Sequence, residues 1–135
     1  MRLSSKVVLV TGGTSGIGLD AARLFKQEGA TVIVVGHNPD RLKSAAADLG
    51  DGVTLLRGDV SNPLDVERVV THIREQFGRV DILFANAGMG LAAPLGAVTE
   101  DQIDKQFGVN FKGVFFTAQK VAPLMGKGSS IVVTT

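Results

Sequence analysis

The sequence predicts an α/β protein with a doubly wound parallel sheet, and three observations support that class. Short apolar runs alternate with amphipathic stretches along all 135 residues. The runs are apolar without interruption, which is typical of parallel strands that helices cover on both faces. Glycines gather where the first run passes into a helix. We expect a single domain with strand order 3-2-1-4-5 and a ligand site between strands one and four.

The first half of the chain predicts three strands, each followed by a helix. The strands are expected at residues 6–10, 31–35 and 53–56. Asn38 and Asn62 each precede a proline, a pattern typical of a helix N-cap. The helices are expected to end at Gly29, Gly50 and Gly78. Their predicted apolar faces are Ile17, Ala21, Leu24 and Phe25; Leu42, Ala45, Ala46 and Leu49; and Val66, Val69, Val70, Ile73 and Phe77.

The second half predicts two further strands, at residues 80–85 and 130–134, with a long helix between them. Thr99 and Gln102 have the spacing of a capping box at the start of this helix. We expect the helix to be bent, because Gly108, Gly113 and Pro123 interrupt it. Its predicted apolar side comprises Ile103, Phe107, Asn110, Phe111 and Val114.

Composition excludes several classes of function. The net charge is +1 and the basic residues are scattered, so we expect no nucleic-acid partner and no membrane partner. There is no cysteine, which fits a cytoplasmic protein. The histidines, His37 and His72, are not spaced as metal ligands with any acidic cluster, so we expect no metal site. There is no tyrosine.

The glycines after the first strand form the pattern T-G-x-x-x-G-x-G, with Gly12, Gly16 and Gly18 at its glycine positions. Bare backbone amides at the start of a helix bind phosphate, because no side chain blocks them and the helix dipole attracts anions. The chain has no Gly-Lys-Ser/Thr, which argues against a triphosphate-binding loop. We therefore predict a dinucleotide site here. The alternative is a turn with no ligand.

Four motifs in the right order give the chain a family resemblance. TGGTSGIG, Gly58-Asp59-Val60, Asn86-Ala87-Gly88 and the later Asn110 together resemble the short-chain dehydrogenase/reductase family, over the whole chain. The resemblance implies a Rossmann-type sheet, a nicotinamide dinucleotide cofactor and interconversion of a small alcohol with a ketone or aldehyde. It also implies that the diphosphate lies against Gly12, Thr14, Ser15, Gly16, Ile17 and Gly18.

The end of the second strand bears on the choice of cofactor. Dinucleotide folds that bind NAD usually carry an acid there, which holds the ribose 2′-hydroxyl. This chain has His37 and Asn38 instead. Because the chain has no carboxylate at this position, nothing here would repel a 2′-phosphate. We therefore predict NADP, with NAD as the second choice. The alternative is that both residues only open the next helix.

The remaining matched positions have implied roles and simpler alternatives. Asp59 and Val60 would hold adenine, and Asn86, Ala87 and Gly88 would line the nicotinamide ribose; either segment is otherwise an ordinary turn. Asn110 is the one catalytic position of the family that is present, where it would hold a water. We expect its amide to be buried, and it would alternatively bridge a bend within the core.

The family's proton donor is a tyrosine with a lysine four residues later, and this chain has no tyrosine. We therefore expect cofactor binding without turnover. The sequence is interpreted as the N-terminal part of a longer reductase; the alternative is a dinucleotide-sensing or scaffolding module. A nucleoside-cofactor transferase on a similar sheet is a third possibility. An unpaired fifth strand and phenylalanines on the long helix predict that the isolated chain self-associates or is marginally stable. The resemblance implies a homo-oligomer, because the long helix takes part in a dimer or tetramer interface in similar enzymes.

Overall fold

The computed structural model describes residues 1–135 and contains one sheet of five strands in the order β3-β2-β1-β4-β5, all parallel. The strands are β1 (Val7–Thr11), β2 (Thr31–Gly36), β3 (Val53–Arg57), β4 (Ile82–Ala85) and β5 (Ser130–Val133). The predicted order is confirmed. Strand β4 begins later than predicted because the Val80 amide donates to the Leu124 carbonyl, at 3.0 Å, rather than to a neighbouring strand.

Five α-helices connect the strands, and side chains cap three of them. The helices are α1 (Gly16–Gln27), α2 (Pro39–Leu49), α3 (Pro63–Gln76), α4 (Glu100–Phe107) and α5 (Val114–Val121). As predicted, Asn38 and Asn62 accept hydrogen bonds from backbone amides in the first turns of α2 and α3. Thr99 and Gln102 form the predicted capping box of α4.

The core has two layers, one on each face of the sheet. Leu9 and Ile33 face α3 and α5, where they belong to a cluster of 12 buried residues. Val8 and Val34 face α1 and α2 within a cluster of seven. Fully burying one such side chain contributes about 1.5–3 kcal/mol, so these layers hold the carboxyl ends of β1 and β2 in fixed positions.

The buried face of α1 differs in part from the predicted one, although Phe25 packs against the core as predicted. Ile17 and Leu24 were expected to face the core but are 66% and 52% exposed. Gly18 and Ala22 are buried instead. An added Cβ on Gly18 would overlap the Gly12 carbonyl oxygen. The helix therefore packs on the sheet through small residues as well as through Leu19 and Phe25, and a search for large apolar side chains overlooks the small ones.

The faces of α2 and α3 follow the prediction with one exception. Ala45 and Leu49 of α2 are buried, but Ala46 is exposed because it lies on the far side of the helix. On α3, the buried residues are Val66, Val69, Val70 and Ile73, and Phe77 packs against the same core.

The long helix is interrupted at the glycines and the proline, where the sequence predicts a break. The segment Gly108–Gly113 between α4 and α5 is π-helical, and a 3₁₀ turn over Ala122–Leu124 follows α5. A Cβ on Gly113 would lie 2.8 Å from Val60 Cγ2. The absence of a side chain at Gly113 therefore lets this segment approach the loop after β3.

The predicted apolar side of α4 and the π-helical segment is not buried. Ile103, Phe107 and Phe111 are 45%, 59% and 64% exposed, because nothing else in the chain packs over them. Asn110 is also exposed, so the prediction of a buried amide is wrong. None of the helices is both long and apolar enough to cross a lipid bilayer.

Candidate functional site

A cleft of about 720 Å³ lies at the carboxyl edge of the sheet. The loops after β1, β2, β3 and β4 form its floor and sides, and α4 with the π-helical segment forms its far wall. This is the switch point of a doubly wound sheet, where helices leave β1 and β4 in opposite directions and a crevice opens between them.

The glycine loop enters this cleft in a conformation that demands glycine. Gly12 has φ +64°, and a Cβ there would lie 2.7 Å from the Ala87 Cα. The loops after β1 and β4 are therefore in backbone contact. Gly16 has φ +55°, but a Cβ there would meet no protein atom within 4 Å. Open space therefore remains beside the first turn of α1.

The N-terminus of α1 differs from those of α2, α3 and α4, because no side chain caps it. Ser15 occupies the N-cap position but accepts no hydrogen bond from the first turn. Helix N-termini carry unsatisfied amides and the positive end of the helix dipole. Gly12, Thr14 and Ser15 line the cleft at this point. The arrangement fits an anion such as a diphosphate.

Polar side chains tie the strand ends beneath the cleft together. Thr11 Oγ1 accepts hydrogen bonds from the Asn86 and Ala87 amides, at 3.1 and 3.2 Å. Asn86 Nδ2 donates to the Gly12 carbonyl at 3.2 Å, and Thr134 Oγ1 donates to Asn86 Oδ1 at 2.8 Å. Asn86 thus links β1, β4 and the end of β5 through a side chain that lines the cleft.

The loop after β3 presents a carboxylate oxygen without a partner. Asp59 Oδ1 accepts hydrogen bonds from the Ser61 amide and hydroxyl, at 2.9 and 2.6 Å, while Oδ2 has no hydrogen-bond partner in the chain. The Asp59 amide donates to Asp65 Oδ2 at 2.9 Å, and this bond lowers the pKa of the Asp65 carboxyl. The loop is therefore held from both sides, with Asp59 Oδ2 available to a ligand.

Asn110 acts as a clamp on the loop after β4. Its Oδ1 accepts from the Met89 amide at 2.8 Å, and its Nδ2 donates to the Met89 carbonyl at 2.7 Å. Asn110 itself does not line the cleft, whereas Met89 and Gly88 do. The side chain is thus satisfied by backbone groups at the cleft wall rather than within the core.

The structure brings most of the predicted site residues together. Those that line the cleft are Gly12, Thr14, Ser15, His37, Asp59, Val60, Asn86, Ala87 and Gly88. Those that do not line it are Gly16, Ile17, Gly18, Asn38 and Asn110. Asn38 instead caps α2, the alternative expected from sequence. No group of three histidine, cysteine or acidic side chains is placed to hold a metal ion.

Sequence reasoning missed about half of the cleft wall. The further lining residues are Val35, Gly36, Arg41, Gly58, Ser61, Met89, Asp104, Lys105, Gly108 and Val109. Several are direct neighbours of predicted residues, so a wider window around each strand end finds them. Arg41, Asp104 and Lys105 lie on helices, and only the fold brings them to the cleft.

Comparison with known proteins agrees with this geometry. The family model for short chain dehydrogenases matches residues 6–135. Oxidoreductase asL5 of Sarocladium schorii is 42% identical over 98% of this chain and 54% of that protein. Galactitol 2-dehydrogenase of Agrobacterium fabrum is 36% identical over 98% of this chain and 53% of that protein. The chain spans about half the length of the curated relatives it matches.

Solved structures from Brucella melitensis share the fold. A short-chain dehydrogenase/reductase described as a glucose/ribitol dehydrogenase superposes with a TM-score of 0.92 at 28% identity, covering 98% of this chain and 57% of that one. A 3-ketoacyl-(acyl-carrier-protein) reductase complexed with NADH gives 0.84 at 34% identity, covering 90% and 51%. From the family match over residues 6–135 and the fold that carries it, the chain belongs to the short chain dehydrogenase family.

Proposed function

We propose that the chain binds a nicotinamide dinucleotide, NADP(H) in preference to NAD(H), as part of an oxidoreductase that interconverts an alcohol with a ketone or aldehyde. The observation that carries the proposal is the uncapped, glycine-led start of α1 at the edge of a cleft of about 720 Å³. A bound dinucleotide supplies or accepts the hydride. The residues of this chain bind and orient it.

The diphosphate is assigned to the loop that begins at Gly12. Thr14 and Ser15 line the cleft there, and the amides of Gly16, Ile17 and Gly18 form the first turn of α1. Since Ser15 makes no capping bond, the positive end of this helix is free to interact with an anion.

The adenosine end is assigned to the loops after β2 and β3. Asp59 Oδ2 is free to accept a hydrogen bond from the adenine amino group, and Val60 offers an apolar side chain to the ring. His37 and Asn38 stand at the 2′ side of the ribose in this proposal. No carboxylate lines the cleft at the β2 end, so nothing there repels a 2′-phosphate.

The nicotinamide ribose is assigned to Asn86, Ala87 and Gly88. Asn110 keeps this wall in place through its two hydrogen bonds to Met89. The chain contains no tyrosine to donate a proton to a developing alkoxide. We therefore expect these 135 residues to bind the cofactor without turnover.

NAD(H) is the second candidate, because the similar 3-ketoacyl reductase structure from Brucella melitensis contains NADH. Relatives named galactitol 2-dehydrogenase and sorbitol dehydrogenase favour a small polyol as the alcohol. We also propose that the protein forms a homo-oligomer and is located in the cytoplasm. A non-catalytic, dinucleotide-sensing module remains the alternative.

The proposal is tested by replacing Ser15 with aspartate. Aspartate is a good N-cap, so Ser15→Asp should leave thermal stability unchanged or raised, while its carboxylate repels a diphosphate at the same place. We expect calorimetric titration to show at least about tenfold weaker binding of NADPH and NADH. Thr99→Asp places the same charge at the N-cap of α4, outside the cleft, and should bind like the unmodified chain. Equal binding by Ser15→Asp would contradict the proposal.

A further inference from the structure

A series of hydrogen bonds leads from α3 to the loop after β3. Arg68 of α3 donates to the Arg57 carbonyl at the end of β3, at 2.8 Å, and lies 3.3 Å from Asp65 Oδ1. The other oxygen of that carboxylate, Asp65 Oδ2, accepts from the Asp59 amide at 2.9 Å. The backbone of Asp59 is therefore fastened to a helix, although it lies in a loop.

Asp65 is not needed to cap its own helix. Asn62 is the N-cap of α3, and its Oδ1 accepts from the Leu64 and Asp65 amides, at 3.0 and 3.4 Å. In a capping box, the side chain three residues after the N-cap bonds back to the N-cap amide. Asp65 stands at that position, but the Asn62 amide donates to the Asp59 carbonyl instead, at 2.9 Å. The carboxylate of Asp65 therefore orders the loop that contains Asp59.

The carboxylate of Asp65 is stabilised in its charged form. The hydrogen bond from the Asp59 amide lowers the pKa of Asp65, partial burial opposes this effect, and Arg68 and Arg57 add to the lowering. A charged acceptor makes a stronger hydrogen bond than a neutral one. The bond to the Asp59 amide is therefore retained at neutral pH.

The side chain of Asp59 is fixed by a second set of bonds. Its Oδ1 accepts from the Ser61 amide and hydroxyl, while Oδ2 has no partner in the chain. Asp65 thus holds the backbone of this residue and Ser61 holds its side chain. Asp59, Val60 and Ser61 all line the cleft, whereas Asp65 does not. The direction of the free Asp59 oxygen therefore depends on a residue outside the cleft.

We propose that Asp65 is the positioning residue through which the cleft distinguishes one purine base of a dinucleotide from another. It holds Asp59 so that Oδ2 accepts a hydrogen bond from an amino group of the base and repels a base with an oxygen at that place. The proposal rests on the proposed dinucleotide binding and on the assignment of Asp59 to adenine. Without Asp65, the loop is free to turn the carboxylate away from an unfavourable base, so discrimination weakens.

The test is calorimetric titration with NADP⁺ and with nicotinamide hypoxanthine dinucleotide phosphate, which differ only in the base. Hypoxanthine carries a carbonyl oxygen where adenine carries its amino group. The unmodified chain should bind NADP⁺ at least about tenfold more tightly, because only adenine satisfies the carboxylate. Asp65→Ala should reduce this ratio of affinities to about threefold or less. Asn62 still caps α3 in this variant, so we expect it to fold, and thermal unfolding checks this.

Matched variants separate positioning from a general loss of structure. Asp65→Asn keeps an acceptor oxygen for the Asp59 amide and should restore most of the ratio. Asp40→Ala is the control, because Asp40 lies in the first turn of the other Asn-Pro helix, is exposed and forms no ion pair. Asp59→Ala should make the two affinities equal, and adding Asp65→Ala should then change nothing further.

A second variant keeps the inference testable if Asp65→Ala does not fold. Arg68→Met removes the group that anchors Asp65, at a side chain that is 57% exposed. It should reduce the ratio about twofold. In that case an unchanged ratio in Arg68→Met would overturn the inference.

The outcomes separate this inference from the function on which it rests. If the unmodified chain binds neither dinucleotide, the proposed function fails. If it binds both equally, the adenine assignment of Asp59 and this inference fail, while dinucleotide binding stands. If Asp65→Ala keeps the ratio, or weakens both ligands by the same factor, Asp65 has no part in reading the base. A ratio that falls in Asp65→Ala, recovers in Asp65→Asn and is unmoved in Asp40→Ala supports the inference.

Discussion

Strands β2 and β5 have similar sequences and opposite surroundings. β2 reads TVIVVG and β5 reads SIVV. Val32 and Ile33 are at most 1% exposed, whereas Ile131 and Val132 are 48% and 52% exposed. β2 lies inside the sheet with helices on both faces, and β5 lies at an edge where little of this chain covers it. A run of apolar β-branched residues therefore predicts a strand whose side chains favour burial. It does not predict that other elements of this chain pack over them.

The largest effect should come from truncating one isoleucine in each strand. Ile33→Ala removes a fully buried side chain from the larger core cluster and should lower the free energy of unfolding by about 2–5 kcal/mol. Ile131→Ala should cost about 1 kcal/mol or less, because half of that side chain is already exposed. Urea denaturation measures both. Similar losses in the two variants would show that β5 is covered in solution.

An intermediate effect is expected at Asp81, which fastens the start of β4 to β1. Its Oδ2 accepts from the Val7 amide at 2.8 Å and pairs with Arg79 at 2.8 Å. Burial alone would raise the pKa of Asp81, but these hydrogen bonds and the positive charge of Arg79 outweigh it and lower the pKa. Asp81→Asn keeps an acceptor for Val7 but loses the charge, and should destabilise the chain by about 1–2 kcal/mol at neutral pH.

The pH dependence of that effect follows from the lowered pKa. The folded carboxyl titrates below its ordinary value, so the charged form adds stability above that value. The stabilisation is lost as the pH falls through the lowered pKa. The difference between the unmodified chain and Asp81→Asn should therefore shrink below about pH 4. Asp51→Asn, at an aspartate outside every ion pair of the chain, is the control. A difference that stays constant down to pH 2 would refute this reasoning.

The smallest effect on stability should come from the exposed phenylalanines. Phe111 is 64% exposed, so Phe111→Ser should change the free energy of unfolding by no more than about 0.5 kcal/mol. If the exposed phenylalanines and β5 drive the expected self-association, Phe111→Ser should also shift sedimentation velocity profiles toward the monomer. Unmodified chain that sediments as a single monomeric species at high concentration would end that expectation.

Sequence predicted the fold well because its signals are local. The Asn38-Pro39 and Asn62-Pro63 pairs define helix starts through hydrogen bonds within one turn, and apolar runs define strands by their own composition. The prediction for α1 is wrong at Ile17 and Leu24, because the helix packs closely at Gly18. A glycine has no side chain, so it adds nothing to a hydrophobic pattern.

Residues of the candidate site were predictable from sequence where they follow the end of a strand. They were not predictable where they lie on a helix that borders the cleft. His37 is the first residue after β2 and Asp59 the second after β3, so their position at the carboxyl edge follows from topology. Arg41 faces the cleft only because of the helical phase of α2. The exposure of Asn110 depends on what covers the π-helical segment. Its phenylalanine neighbours predicted burial, but Phe107 and Phe111 are themselves exposed.

The central claim is that the first turn of α1 binds the diphosphate of a dinucleotide, and amide chemical shifts test it most directly. In ¹H–¹⁵N spectra of the chain titrated with NADP⁺, we expect the largest shifts at the amides of Gly16, Ile17 and Gly18. The capped first turn of α3, at Leu64 and Asp65, should shift little. Saturable binding that leaves the amides of Gly16 to Gly18 unshifted would contradict the account.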